Sequence, residues 1–233
     1  PCGNMILSVD NLSKTLDGEV LFKNLSFNVH NGDKIAFIGS MGLAKTTFFQ
    51  ILMGEEKADS GTFRFGETIT PSYFPKENSH YFDNDLNLIE WLEQYKKHKD
   101  MDEGALRGFL GRMLFSGEEV FKKSKVLSGG EKVRCVLSKM MLSEANFLIF
   151  DEPTNHLDLE SITSLNNGMI NFAEVILFSS HDHKLVETVA NRIIEITPQG
   201  IIDRSMNLEE YLEDPHVKKL REEMHKGEKG FSL

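Results

Sequence analysis

The sequence has 233 residues, a length that suits one large domain or a core with a small attached subdomain. Hydrophobic residues make up 40% and charged residues 27%, as in ordinary globular proteins. The net charge of -10 argues against a chain that grips nucleic acid through its bulk charge. Cys2 and Cys135 are too few for a disulfide framework and match no metal-site spacing, which favours a reducing, cytoplasmic setting.

The ends and the surface of the chain add two expectations. The first residue is Pro1 rather than methionine, so we expect a processed product or a part of a longer polypeptide. No apolar run approaches the roughly 18 residues that a membrane-spanning helix needs. The densest basic run, residues 96–99, is typical of a solvated helix end, and a binding role is the alternative.

The first third of the chain alternates between strand and helix patterns. Residues 5–30 contain apolar–polar alternation with a turn signal, which predicts short antiparallel strands. Residues 34–39 form a short apolar run that ends in glycine, as expected of a buried strand. Residues 46–53 then show helical spacing up to Gly54, and residues 60–73 are strand-like again.

A mainly helical section follows, and the chain then returns to strands. Apolar residues recur at helical intervals over about residues 84–143. Buried strands are predicted at residues 146–150, 175–179 and 193–196. Strands that alternate with helices predict an α/β fold with a mostly parallel sheet flanked by helices. To this core we add an N-terminal antiparallel β subdomain and an inserted helical subdomain.

We therefore predict a single domain, residues 1–233, made of four parts. These are the β subdomain with the first strand-to-helix loop, the helical insertion, the rest of the core and a charged C-terminal tail. Their approximate bounds are residues 5–75, 84–143, 144–203 and 207–233. The tail is rich in Glu and Lys, which predicts a solvated helix that frays.

The central motif spans residues 39–46, between a predicted buried strand and a predicted helix. A phosphate-binding P-loop has glycine, four residues, glycine, lysine, and then serine or threonine. Gly39, Lys45 and Thr46 fit this pattern, whereas Ala44 replaces the second glycine. The loop N–H groups suit an anion, Lys45 would reach terminal phosphates, and the Thr46 hydroxyl would bind Mg²⁺. The motif predicts binding of Mg-ATP, and a strand-to-helix turn without a ligand is the alternative.

The remaining loop positions complete this predicted cradle. We also assign nucleotide binding to Ser40, Met41, Gly42, Leu43 and Thr47. Ala44 leaves two alternatives open. If its backbone is left-handed, the Cβ atom costs roughly 1–2 kcal/mol, whereas a helical backbone would make alanine harmless or even stiffening.

Two acids end the second buried strand. Asp151 would hold Mg²⁺ at the strand end, and Glu152 would polarise an attacking water as a general base. The alternative is a pair of acids that cap a turn before Pro153. His181 follows the third buried strand and would touch the terminal phosphate and that water. A structural histidine is the alternative, and His183 is the competing candidate.

Residues 127–131 read LSGGE, and they decide the family that the sequence resembles. Ser128, Gly129 and Gly130 offer a hydroxyl and unhindered N–H groups at a predicted helix start. A P-loop, an LSGG signature and an Asp-Glu strand end in this order resemble the ATP-binding cassette family, over about residues 7–203. The resemblance implies a P-loop NTPase core with ATP and Mg²⁺ as cofactors. It also implies two cassettes that sandwich two nucleotides, with the signature covering the ATP of the opposite cassette.

Finer features resemble one branch of that family. Residues 151–161 read DEPTNHLDLES. Residues 85–134, with GFLGR at 108–112 and FSG at 115–117, also resemble the ABC-F branch, specifically its second, C-terminal cassette. The branch consists of soluble twin-cassette proteins without membrane domains that act on ribosomes. The resemblance therefore implies a second cassette, in the same polypeptide or in a homodimer, as a partner. It further implies a ribosome partner and no direct membrane insertion.

Four positions depart from the family pattern. Ala44 replaces glycine, Met41 replaces asparagine, Lys76 stands in place of a glutamine, and Leu16 lies near the position of an adenine-stacking aromatic ring. Lys76 would place its ammonium near the phosphates and partly substitute for metal charge. Leu16 offers only apolar contact.

Three functions remain open at this point. The expected one is an ATPase half of a ribosome-associated factor, in which Lys45, Glu152 and His181 act in catalysis. The alternatives are the ATP-binding subunit of a membrane transporter and a non-catalytic nucleotide-binding module. Intact Lys45, Thr46, Asp151, Glu152 and His181 favour hydrolysis.

Overall fold

A computed structural model describes residues 5–228, so Cys2 and the last part of the predicted C-terminal tail lie outside the described residues. The strands are β1 (Met5–Leu16), β2 (Glu19–His30), β3 (Lys34–Ile38), β4 (Ser60–Phe65), β5 (Pro71–Phe74), β6 (Phe147–Asp151), β7 (Val175–Ser179), β8 (Arg192–Thr197) and β9 (Gly200–Arg204). The α-helices are α1 (Gly42–Leu52), α2 (Leu88–Glu93), α3 (Glu103–Arg112), α4 (Gly129–Leu142), α5 (Leu159–Asn171), α6 (His183–Val189), α7 (Leu208–Glu213) and α8 (Pro215–Met224).

A six-stranded sheet in the order β5-β6-β7-β3-β8-β9 forms the centre of the molecule. All neighbouring pairs are parallel except β8 and β9. Every residue of β7 and β8 is buried, as expected of parallel strands covered on both faces. The predicted mostly parallel α/β sheet is therefore confirmed.

The two faces of this sheet pack against different parts of the chain. Ile35 and Phe37 of β3 join the cluster that includes α1 and the N-terminal strands. Ala36, between them, joins the cluster that includes α4, α5 and the C-terminal helices. Successive side chains of a strand point to opposite faces, so this short apolar strand serves both cores.

A separate three-stranded antiparallel sheet has the order β2-β1-β4. Its first two strands are longer than the short strands we predicted, at 12 residues each. Asp17 and Gly18 both have positive φ, 49° and 80°, which suits a two-residue hairpin turn. Register shifts in β1 interrupt the pairing, which accounts for the imperfect alternation in the sequence.

The predicted helical insertion contains α2, α3 and α4, joined by irregular segments and short 3-10 turns at Gly117–Phe121 and Ser124–Val126. Trp91 and Leu92 of α2 and Leu110 of α3 are fully buried, and they join the same core as α4. No helix within residues 5–228 has the length and apolar character needed to cross a membrane.

The C-terminal segment differs from our expectation of a solvated helix. It forms two helices, α7 and α8, instead of one. Tyr211 and Val217 are fully buried, and His225, just after α8, is 3% exposed. The segment therefore packs one face onto the core, although its other face carries many charges.

Candidate nucleotide site

The loop between β3 and α1 begins with a glycine that no other residue can replace without strain. Gly39 has φ of 145°, and a Cβ atom there would lie 2.6 Å from the carbonyl oxygen of Ile196. Met41 is the N-cap of α1, and its side chain makes no capping hydrogen bond. The first N–H groups of this 11-residue helix thus lack a side-chain acceptor, which suits an anionic ligand.

Ala44 adopts a helical backbone within α1, and it is absent from the described residues with positive φ. Of the two alternatives, a left-handed and a helical backbone at Ala44, the structure has the unstrained helical one. Ala44 is 1% exposed and packs in the core beneath the loop. Alanine is the better helix former, so this departure from the P-loop pattern stiffens the helix start.

The other loop residues have varied surroundings. Ser40 is exposed, and its hydroxyl donates to the Glu228 carboxylate of the C-terminal segment. Leu43 is 50% exposed, whereas Thr47 is only 3% exposed. Leu16, at the end of β1, is half-buried against the same core, and its role toward an adenine stays a prediction.

Lys45 is buried at the base of the loop, with 5% of its surface exposed. Its Nζ atom donates to the carbonyl oxygen of Gly39 at 3.2 Å. Burial lowers the pKa of the Lys45 ammonium. The charges of Glu152 and Asp151 raise this pKa, and the charge of the Lys76 ammonium lowers it. The charges that act on this P-loop lysine are therefore those of two acids and a second lysine.

The predicted metal-binding pair is brought together across the sheet. The Thr46 hydroxyl donates to Oδ2 of Asp151 at 2.6 Å, and Asp151 is 1% exposed. Two residues that we did not predict hold the same carboxylate. The Ser179 hydroxyl donates to Oδ1 at 3.0 Å, and the Tyr73 hydroxyl donates to Oδ2 at 3.4 Å.

Tyr73 and Ser179 lie on β5 and β7, the two strands that flank β6. Residues near the carboxyl ends of adjacent parallel strands converge at one edge, which is the signal that could have identified them. Burial, and next the charge of Asp151, raise the pKa of the Tyr73 phenol well above its ordinary value. Tyr73 is therefore a neutral donor toward the carboxylate.

Glu152 has an unusual backbone for a residue with a side chain, with φ of 49°. Its N–H group donates to the Ser179 carbonyl at 2.9 Å, and its Oε2 atom accepts from the His181 N–H group at 3.0 Å. Its Oε1 atom is the only buried side-chain oxygen or nitrogen within residues 5–228 that has no hydrogen-bond partner. A buried acceptor without a donor is costly, so this atom suits a water or ligand.

His181 is the histidine that reaches this glutamate. Its Nε2 atom lies 3.4 Å from Oε1 of Glu152, without the alignment of a hydrogen bond, and its side chain is 76% exposed. His183, the competing candidate, is exposed at the start of α6. Between the two, the geometry favours His181.

The LSGG residues form the start of α4. Ser128 caps the helix, and it exchanges hydrogen bonds with Glu131 in a capping box. A Cβ atom on Gly129 would lie 3.3 Å from the carbonyl oxygen of His156, and one on Gly130 would lie 2.4 Å from the Ser161 hydroxyl. The nearest neighbours of these glycines are thus residues that follow β6, rather than the P-loop of the same chain.

Comparison with known proteins places these motifs in a family. The sequence model of the ABC transporter family matches residues 22–155. The chain is 61% identical over 224 residues to the uncharacterized ABC transporter ATP-binding protein YkpA of Bacillus subtilis, covering 96% of the chain and 41% of YkpA. It is 32% identical over 206 residues to the energy-dependent translational throttle protein EttA of Escherichia coli K12, covering 86% and 36%.

A further relative carries the name of the branch that the sequence resembles. The chain is 31% identical over 231 residues to ABC transporter F family member 5 of Arabidopsis thaliana, covering 97% of the chain and 33% of that protein. The chain thus spans about two fifths or less of the length of these curated relatives, whose covered shares are 41%, 36% and 33%.

A solved structure shows the same fold at low sequence identity. The chain matches a nucleotide-free ATP-binding cassette from an ABC transporter with a TM-score of 0.75 and 17% identity, over 93% of the chain and 98% of that cassette. The family match covers the P-loop and the Asp-Glu strand end that the fold brings to one edge of the sheet. The chain therefore belongs to the ABC transporter family, as an ATPase domain of that family.

Proposed function

We propose that this chain binds Mg-ATP and hydrolyses it when paired with a second cassette, as half of a cytoplasmic, ribosome-associated ABC-F factor. The observation that carries the proposal is the convergence of Lys45, Thr46, Asp151 and Glu152 on one P-loop. Similarity to EttA and to an F family member supports the choice of branch. The chain is proposed to resemble the second cassette of such a protein.

The donor set fits a magnesium nucleotide. The Thr46 hydroxyl and the Asp151 carboxylate are hard oxygen ligands held 2.6 Å apart, and Mg²⁺ prefers such oxygens. When bound, Mg²⁺ supplies positive charge that neutralises phosphate oxygens. Lys45 and the start of α1, which no side chain caps, would bind those phosphates. Tyr73 and Ser179 would keep Asp151 oriented.

Glu152 is proposed as the general base. His181 fixes one carboxylate oxygen through its backbone N–H group, which leaves Oε1 free to accept a proton from a water. The left-handed backbone of Glu152 is a local cost of the kind found at functional sites. The His181 ring, 3.4 Å from Oε1, is placed to contact the same water or the terminal phosphate.

A second cassette is proposed to complete the site. Ser128 and Gly129 are exposed, and the close neighbours of Gly129 and Gly130 are residues 156–161 rather than the P-loop of the same chain. We therefore propose that these residues cover a nucleotide held by another cassette. The chain spans 41% of the length of YkpA, so a relative of that length has room for a second cassette in the same polypeptide. This agrees with pairing within one polypeptide. A homodimer is the other arrangement that we proposed from the sequence.

The test is Glu152→Gln in the full-length protein. Removing the base is expected to block hydrolysis, so that ATP holds the paired cassettes closed and the protein co-sediments with ribosomes. Glu174→Gln, at an exposed position before β7, is the matched control. ATP-dependent co-sedimentation of the Glu152→Gln variant alone supports the proposal. Co-purification with an integral membrane protein instead would favour a transporter, and an ATPase rate insensitive to Glu152→Gln would favour a non-catalytic module.

A further inference from the structure

Two lysine ammonium groups converge on the start of α1. Lys76 lies just after β5, and its Nζ atom is 3.6 Å from the position that a Cβ atom would take on Gly42. Gly42 is the first residue of α1, and Lys45 follows one turn later. The N-terminus of a helix is itself electropositive, so the two ammonium groups and the helix start together form a site of concentrated positive charge. These like charges repel one another, and a bound anion would relieve that repulsion.

The nearby Asp151 and one oxygen of Glu152 are engaged by other groups. Asp151 accepts hydrogen bonds from Thr46, Ser179 and Tyr73, and one oxygen of Glu152 accepts the His181 N–H group. In the part of the chain that the structure describes, no carboxylate forms an ion pair with Lys76. An ammonium beside a P-loop glycine and without a counterion is placed to meet an anion that comes with the ligand.

We propose that Lys76 binds the terminal phosphates of a nucleoside di- or triphosphate and supplies affinity that does not depend on a divalent cation. This inference rests on the proposed nucleotide site, and it adds a property to that site. The long, flexible lysine stem lets the charge follow the phosphate oxygens, since an ammonium acts as a point charge without a fixed geometry. A neutral side chain at this position would leave Lys45 and α1 to bind the metal-free phosphates.

The expected result concerns binding without metal. Lys76→Gln should weaken binding of ATP and ADP in EDTA by about tenfold, because a charge-assisted contact is lost. With saturating Mg²⁺ the loss should be smaller, since the phosphate charge is already partly neutralised. Lys76→Arg keeps the charge and should retain most of the metal-free affinity. AMP lacks the terminal phosphates and should bind the variants equally.

The measurement is titration calorimetry of the purified 233-residue chain with ATP, ADP and AMP, in EDTA and in Mg²⁺. Lys57→Gln, at an exposed position between α1 and β4, is the matched control. Thermal unfolding of each variant checks the fold, and no change is expected because Lys76 is exposed. Equal metal-free affinities of the wild-type and Lys76→Gln chains would overturn the inference while leaving the nucleotide site in place. Absence of ATP binding by the wild-type chain even with Mg²⁺ would overturn both proposals.

Discussion

At the residue scale, Gly39 is the loop position whose backbone conformation most strongly requires glycine. Its φ of 145° is accessible mainly to glycine, and its Cα faces the carbonyl oxygen of Ile196 on β8. The P-loop pattern alone demands glycine here for the approach of a phosphate. The structure adds a second reason, since the first residue of the loop packs directly on a neighbouring strand.

Gly39→Ala should therefore destabilise the fold itself, by at least about 2 kcal/mol, through backbone strain and the clash with Ile196. Gly108→Ala is the matched control, because Gly108 lies in the exposed part of α3 with open space around it. The control should raise stability by up to about 1 kcal/mol. Urea unfolding of the two variants measures both effects, and equal unfolding free energies would contradict this account.

Site residues that belong to a sequence motif can be recognised from the sequence, whereas those outside any motif cannot. The sequence pairs Thr46 with Asp151 because each belongs to a recognisable motif. Tyr73 and Ser179 belong to none, and they contact Asp151 only because β5 and β7 flank β6. Their role depends on strand order, which a linear pattern does not contain.

At the scale of elements, the C-terminal helices are tied to the strand beside the P-loop. Glu195 of β8 is 1% exposed, and it pairs in register with Ile38, the last residue of β3. Its carboxylate accepts from the Tyr211 hydroxyl at 2.7 Å and from Nε of Arg221 at 2.8 Å. Nε2 of His225 lies 2.8 Å from its other oxygen. One buried carboxylate thus joins α7, α8 and the sheet.

Glu195→Ala should cost about 3–5 kcal/mol, because the buried polar groups that face the carboxylate lose their partner together. Glu222→Ala, on the exposed face of α8, is the control and should change stability by less than about 0.5 kcal/mol. The comparison is made by chemical denaturation at neutral pH. A loss no larger than that of the control would mean that this network does not hold the segment to the core.

The charge-rich composition of this segment led to the expectation of a solvated helix. Charged side chains dominate its sequence, but Tyr211 and Val217 recur six residues apart on the faces that become buried. Two helices with separate caps, at Asn207 and Asp214, reorient the chain between them. A search for one continuous helical period could not reveal two helices, because the helix axis changes direction at Asp214.

At the scale of the whole molecule, the P-loop and the LSGG glycines pack against different parts of the chain. The P-loop with Asp151 and Glu152 lies at one edge of the central sheet, whereas Gly129 and Gly130 pack against residues 156–161. If these glycines cover a nucleotide, that nucleotide belongs to another cassette. Hydrolysis should then depend on pairing, while nucleotide binding by one chain should not.

A chain carrying Glu152→Gln should therefore dimerise when ATP and Mg²⁺ are present and remain monomeric with ADP. Light scattering after size exclusion measures the mass in each condition. Adding Gly129→Asp should abolish the dimer, because a carboxylate at the signature would repel the phosphates of the partner chain. A monomer under all conditions would contradict the homodimer arrangement and leave pairing within one polypeptide as the form of the proposal.

The sequence by itself determined the family, the strand-to-helix loop at residues 39–46 and the acids that end β6. These features are local, since each motif couples a residue pattern to the turn or strand end that it forms. The structure answered the local question of the Ala44 backbone, which is helical. Only the tertiary structure decided that Tyr73 and Ser179 hold Asp151 and that Lys76 faces Gly42. It also decided that the charged C-terminal segment folds back toward Ser40. The physical reason is that these contacts join residues distant in sequence, and strand order and packing alone bring them together.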